Sequence, residues 1–169
     1  MSNSGPSGIH PVLTLINRCD ELARNFDSTF EQSCIFLTNL ANNAPAPGQP
    51  TTMDDTLMSL RKTLEKCEEI VGAMLNCIYE DIPHLLDQLD SGENVGVGNW
   101  NPKQALDGIS QLFYSYQELL LEKRELLADF TCEEIDAATF VKGWTQIDGN
   151  LASQRKQQVD DLADLLAAF

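Results

Sequence analysis

The side-chain types in this chain that most often carry out chemistry or bind metals are cysteine and histidine. The five cysteines are Cys19, Cys34, Cys67, Cys77 and Cys132, and the two histidines are His10 and His84. Structural zinc sites draw their ligands from close pairs such as Cys-x-x-Cys, and this sequence contains no such pair. An odd number of cysteines without an export signal indicates reduced thiols in the cytosol or the nucleus. We therefore expect no metal site and no disulfide.

Other patterns that carry chemistry are equally incomplete. A di-iron bundle needs Glu-x-x-His pairs on facing helices, and neither histidine has a glutamate three residues before it. The glycines Gly92, Gly96 and Gly98 lack both the preceding strand and the Gly-Lys-Ser/Thr of a phosphate loop. The Asp160-Asp161 pair is typical of a solvated helix face. The sequence therefore predicts no enzyme and no bound cofactor.

The charge balance limits which partners are compatible with the surface. Lys and Arg number 11 against 26 Asp and Glu, which gives a net charge of −15 over 169 residues. Such a surface repels nucleic-acid phosphates and anionic lipids, so we expect no direct nucleic-acid or membrane binding. Also, no stretch reaches the roughly 18 apolar residues of a spanning helix. Two interpretations of the acidic surface remain open: ordinary solvation, or attraction of a basic protein partner.

Any functional side chain here must be positioned by helices, because apolar residues recur at alternating steps of three and four along the chain. Residues with this spacing form one apolar line along a helix, called a seam here. One seam consists of Leu106, Ile109, Phe113, Tyr116 and Leu120. A second consists of Leu57, Leu60, Leu64, Cys67, Val71, Met74 and Ile78. A strict seam of this kind predicts close, coiled-coil-like packing against other helices.

Prolines and glycines divide the chain into four long helices in one bundle domain, residues 10–169. A flexible tail covers residues 1–9, and linkers fall at about 44–52 and 91–101. We predict helices over Pro11–Asn42, from about Thr52 or Asp54 to near Pro83, over Pro102–Phe130, and from Ala138 to the C-terminus. Pro83 should kink or stop the second helix. The capping-box pattern Thr131–Glu134 predicts a corner after the third. The fold class is all-α: a helical bundle.

Several side chains are candidates for a partner interface rather than for catalysis. They are Tyr114, Tyr116, Lys123, Arg124, Trp144, Leu165 and Phe169. For the tyrosines, Trp144 and the C-terminal apolar run, both packing within this chain and contact with another chain remain open. The basic doublet Lys123-Arg124 pairs either with Glu118, Glu122 or Glu125 of its own helix or with a partner.

The order of four short motifs resembles the AIRIM-type ribosome maturation factors. The motifs are Ile78-Tyr79-Glu80, Tyr116 ahead of Lys123-Arg124-Glu-Leu-Leu127, Trp144-Thr-Gln-Ile147, and an apolar C-terminal helix ending at Phe169. The CINP family shares the arrangement of tyrosine, Lys-Arg and tryptophan. The resemblance implies a non-catalytic helical adaptor in a hetero-oligomer with a CINP-like second helical subunit and AAA ATPases, which bind the ATP.

The function that this resemblance implies is cytoplasmic maturation of the large ribosomal subunit, with a further role in replisome proteostasis. The implied location is the cytoplasm, the nucleus or both. The alternative is a structural subunit of another helical assembly, of the mediator, kinetochore or augmin type. The chains that co-purify with this protein distinguish the two.

Overall fold

The computed structural model of the protein describes residues 11–41, 52–90, 102–147 and 149–168. Within these ranges nearly every residue is helical and none lies in a strand, which confirms the all-α prediction. The helices are α1 (Pro11–Ala41), α2 (Met53–Asn76), α3 (Ile82–Asp90), α4 (Pro102–Thr131), α5 (Ala137–Thr145) and α6 (Gly149–Ala168). The predicted tail, residues 1–9, and the glycine-rich stretch from Ser91 to Asn99 lie outside the described residues.

Four helices form a ring in which α1 packs on α2, α2 on α4, α4 on α6 and α6 on α1. Successive members of the ring run in opposite directions. An ion pair joins Glu68 of α2 to Arg124 of α4, and a hydroxyl contact joins Tyr79, just after α2, to Tyr114, so α2 and α4 are antiparallel. The short helix α5 packs on both α4 and α1. Among the described helices, none combines the length and apolar character needed to cross a bilayer.

The predicted seams face the centre of this ring. All five residues of the α4 seam are buried, and so are all those of the α2 seam except the half-buried Leu57. Aromatic rings fill the space between α1 and its neighbours: Phe26 lies 4.7 Å from Tyr116, and Phe30 lies 5.4 Å from Trp144, between ring centroids. Burying each side chain of this size contributes about 1.5–3 kcal/mol, so the seams supply much of the folding free energy.

Pro83 does not stop the second helix. Residues Cys77–Asp81 form a π-helical turn, in which the Ile82 N–H donates to the Cys77 carbonyl. The helix then continues as α3 to Asp90. A proline removes one backbone donor and its ring crowds the preceding turn, and here a single widened turn lies directly before Pro83.

The fourth predicted helix is divided in two. Gln146 has an extended backbone (φ −81°, ψ 124°), so α5 ends at Thr145 and α6 begins at Gly149. Two residues that the continuous helix would bury, Ile147 and Val159, are 47% and 45% exposed, whereas Leu151 of the same predicted seam is buried.

The corner before α5 is present, but its cap differs from the predicted one. Thr131 is the last residue of α4. Glu133 takes a left-handed backbone (φ 60°), and the N–H groups of Glu133 and Glu134 donate to carbonyls in the last turn of α4. This is a Schellman motif, which usually has glycine at the left-handed position. The cap of α5 is Asp136, which accepts from the Thr139 N–H at 2.7 Å.

Candidate interaction face and buried polar clusters

Lys123 is the most deeply buried charged side chain among the described residues, with 1% exposed. Its Nζ donates to the carbonyl oxygens of Gly143 and Gln146, both at 2.6 Å. Carbonyls at a helix C-terminus lack partners within the helix, and the helix dipole favours a cation there. Lys123 therefore caps the end of α5 and holds it against α4.

The surroundings of Lys123 act in opposite directions on its charge. Burial lowers the pKa of Lys123, since desolvation disfavours the ammonium form, while the Glu122 carboxylate, 3.8 Å away, raises it. The ring of Phe30 lies 5.9 Å from Nζ and adds a cation–π contact. The ammonium group thus exchanges its water for two carbonyls, a ring and a nearby carboxylate.

Trp144 joins α5 to α1. The indole Nε1 donates to Ser33 Oγ at 3.0 Å, and that hydroxyl donates to the Phe30 carbonyl at 2.6 Å. The indole ring is fully buried and also packs 5.6 Å from Phe140. A buried indole N–H without an acceptor would lose the energy of a hydrogen bond, so Ser33 explains why tryptophan fits here.

Tyr116 belongs to a polar cluster that ties α1, α4 and α6 together. Its hydroxyl donates to Asp27 Oδ1 at 2.7 Å, and Arg155 contacts Asp20 at 2.8 Å and Asp27 at 3.4 Å. Burial raises the pKa of Asp27, although the hydrogen bond from Tyr116 and the Arg155 charge lower it. Burial likewise raises the pKa of Tyr116. The structure thus places Tyr116, Lys123 and Trp144 inside the bundle.

Tyr114 lies on the outer surface, 39% exposed, and its hydroxyl donates to that of Tyr79 at 3.4 Å. Tyr79 follows α2 and is 65% exposed. Leu121, also exposed, follows Tyr114 by seven residues and so lies on the same side of α4. We call Tyr79, Tyr114 and Leu121 the tyrosine face. The exposed carboxylates of Glu118 and Glu125 share this side of α4.

The remaining candidates lie at other positions. Arg124 is exposed and forms its ion pair with Glu68 of α2, at 2.6 Å, rather than with a glutamate of its own helix. Leu165 lies within α6, but its side chain is outside what the structure describes, and Phe169 is outside altogether.

Three of the five cysteines, Cys19, Cys67 and Cys77, are buried, whereas Cys34 is half-buried and Cys132 is exposed. Cys19 and Cys77 hydrogen-bond to each other between α1 and the π turn, and this contact raises the pKa of Cys19. Burial raises the pKa of Cys67 to about 12. In the described part of the chain, no cluster of three or more His, Cys, Asp or Glu side chains could hold a metal ion.

Two features of the polar clusters were missed by sequence reasoning. Asp20 and Asp27 lie on α1 between seam residues, and nothing in their spacing marks them as partners of a distant arginine. Arg155 does carry a signal, because it interrupts an apolar seam together with Gln154 and Gln158. A charged residue in a seam position predicts a buried partner, since an unpaired charge is costly to bury.

Comparison with known proteins gives no relative: no family model, no curated protein and no solved structure matches this chain.

Proposed function

We propose that this chain is a non-catalytic helical adaptor that binds a second helical protein through the tyrosine face, as a subunit of an AAA-ATPase complex in maturation of the large ribosomal subunit. The observation that carries the adaptor role is the exposed pair Tyr79 and Tyr114, which meets across two helices. Aromatic side chains of this kind are enriched at the centres of protein interfaces.

The geometry of the tyrosine face favours binding in two ways. Both tyrosines sit on helical backbone and their hydroxyls contact each other, so little side-chain entropy is lost when a partner covers them. The carboxylates of Glu118 and Glu125 lie on the same side of α4, and the whole chain carries a charge of −15. A partner helix with basic residues around an apolar stripe would be complementary to this face, and its approach would be accelerated.

The AAA-ATPase assignment is supported by the residues that carry the resemblance. Tyr79 belongs to the tyrosine face, whereas Tyr116 and Lys123 of α4 and Trp144 of α5 each join two or more helices. Residues that hold a fold together are those expected to persist in a family signature. The ATP would be bound by the ATPase partners.

The test is purification of the tagged chain at its endogenous level, followed by mass spectrometry of the bound proteins. We expect an AAA ATPase and a second helical subunit. The variant Tyr79→Ala/Tyr114→Ala should lose the helical subunit, because hot-spot truncations weaken binding by roughly 30-fold or more. The matched control is Ile35→Ala/Val159→Ala, which truncates two exposed apolar side chains on α1 and α6.

Each part of the proposal can fail separately in this experiment. Recovery of mediator, kinetochore or augmin subunits without an AAA ATPase would refute the assignment to ribosome maturation and leave the tyrosine face standing. Equal loss of partners from the tyrosine variant and the control, or no loss from either, would refute the tyrosine face.

A further inference from the structure

The face that α6 presents to the bundle is only partly apolar. Leu151 is buried and Leu162 half-buried, but the positions between them that point inward belong to Gln154, Arg155 and Gln158. The spacing is that of a helical seam, so three neighbouring polar side chains occupy places where the other helices of the ring carry mostly aliphatic or aromatic ones.

Two buried polar atoms at this contact are unsatisfied. Gln154 Oε1 and Gln158 Nε2 have no hydrogen-bond partner among the described residues, and Gln158 is only 6% exposed. Both glutamines line a cavity of about 160 Å³ between α1, α4 and α6, whose other walls include Ile16 and Ile109. Buried polar atoms are nearly always paired in native proteins, and leaving them unpaired weakens the association of the surfaces that bury them.

Among the described side chains of α6, Arg155 makes the main polar contacts with the rest of the bundle. Arg155 contacts Asp20 at 2.8 Å and Asp27 at 3.4 Å, and it donates to Gln158 Oε1 at 3.0 Å. The two carboxylates belong to α1, where Asp20 also pairs with Arg24 at 3.0 Å and Asp27 accepts from Tyr116, so a cation on the occupying helix completes contacts that α1 and α4 satisfy only in part. The rest of the groove wall at the cavity is mainly apolar, and it does not complement the two glutamine amides.

We infer that the groove between α1 and α4 is a helix-binding site. It holds this chain's own α6 as a displaceable occupant, and it accepts in its place an amphipathic partner helix. That helix carries an arginine opposite Asp20 and Asp27, and aliphatic side chains where α6 has Gln154 and Gln158. Because α6 lies diagonally across the ring from α2, this site is separate from the tyrosine face, and each can be tested without the other.

The test uses the full chain and a labelled synthetic peptide with the sequence of residues 149–169 carrying Gln154→Leu and Gln158→Leu. Leucine has nearly the volume of glutamine, so the peptide should fit without overpacking. The unmodified peptide competes with a tethered copy of itself at an effective concentration in the range of ~1 mM, so it should bind only weakly. The leucine peptide should bind at least about tenfold more tightly by fluorescence anisotropy, since two unpaired polar atoms are removed.

Two further measurements locate that binding. Adding Arg155→Glu to the leucine peptide should abolish binding, because a carboxylate would then face Asp20 and Asp27. Amide hydrogen exchange in α6 of the full chain should accelerate when the leucine peptide binds, since α6 is released from the groove. In addition, a full chain that carries Gln154→Leu and Gln158→Leu itself should melt at a higher temperature and bind the leucine peptide less well.

The inference is overturned if the leucine peptide binds no more tightly than the unmodified one, if charge reversal leaves its binding unchanged, or if α6 exchange does not respond. It is also overturned if the full chain with both leucines is less stable than the original. A concentration-dependent dimer formed by exchange of α6 between two copies would likewise contradict a groove intended for a different partner helix.

Discussion

Lys123 and Arg124 are neighbours in the sequence, but their surroundings give them different roles. The Lys123 ammonium is enclosed and caps α5 through the carbonyls of Gly143 and Gln146. The Arg124 guanidinium is about half exposed and pairs with Glu68 across the surface. Surface ion pairs contribute little to the free energy of folding because water and salt screen them. Removing a buried donor costs more, because the buried acceptors are left without a hydrogen bond.

The first prediction compares these two residues. Lys123→Met should lower the free energy of unfolding by about 2–4 kcal/mol, because two carbonyls lose their donor. The matched variant Arg124→Met should lower it by less than about 1 kcal/mol. Urea unfolding followed by circular dichroism measures both. Equal effects would contradict the capping role of Lys123.

A second prediction at this scale concerns the α2 seam. Leu64 is buried against the rest of the core, so Leu64→Asp should cost several kcal/mol (about 4 or more), since the carboxylate has no compensating partner there. Glu68, one turn later, is exposed, and Glu68→Ala should cost less than about 1 kcal/mol although it removes the partner of Arg124. Thermal melting that leaves the Leu64 variant unchanged would show that the seam is not buried as described.

At the scale of the elements, the corner between α4 and α5 carries a strained residue. Glu133 has a left-handed backbone, which disfavours any side chain with a Cβ atom. Glu133→Gly should therefore raise the free energy of unfolding by up to about 1 kcal/mol. The control is Glu134→Gly, at the next position, which is not left-handed and should be neutral or destabilising. Chemical denaturation of both variants gives the comparison, and a destabilised Glu133 variant would argue against the Schellman geometry.

The start of α5 yields a pH prediction. Hydrogen bonds from the Thr139 side chain and from the Thr139 N–H hold the pKa of the Asp136 carboxylate below the ordinary value of 3.8. A depressed carboxyl pKa stabilises the fold above the ordinary value, and that contribution is lost as the pH falls through the folded-state value. Asp136→Ala should therefore lower the melting temperature at neutral pH, and the difference from the unmodified chain should shrink below pH 3.8. A difference independent of pH would contradict the charged cap.

The sequence predicts an element well when its pattern is local, and poorly when the element is fixed by residues far away in the chain. The α2 and α4 seams are local periodic patterns, and both are buried as expected. At the break after Thr145 the carbonyls accept from Lys123, more than twenty residues earlier, and no local pattern marks that contact, so the sequence predicts α5 and α6 as one helix. The spacing of Thr131 and Glu134 predicts a cap at Thr131, but Asp136 is the residue that accepts from the first turn of α5.

At the scale of the whole molecule, the ring of α1, α2, α4 and α6 leaves two surfaces of different character. The tyrosine face is exposed and bordered by acidic residues. The groove between α1 and α4 is occupied by a helix with two unpaired polar atoms at its contact. An adaptor with two such surfaces could bind two helical partners at once, one of them only after α6 has moved.

Side-chain footprinting of the tyrosines tests the central claim most directly. The chain has three tyrosines, and hydroxyl-radical labelling reports the solvent exposure of each in the free chain and in the purified complex. We expect Tyr79 and Tyr114 to be labelled in the free chain and protected in the complex. Tyr116, which is fully buried, should be protected in both states and serves as the internal control. Unchanged labelling of Tyr79 and Tyr114 in the complex would contradict the proposal that this face binds the partner.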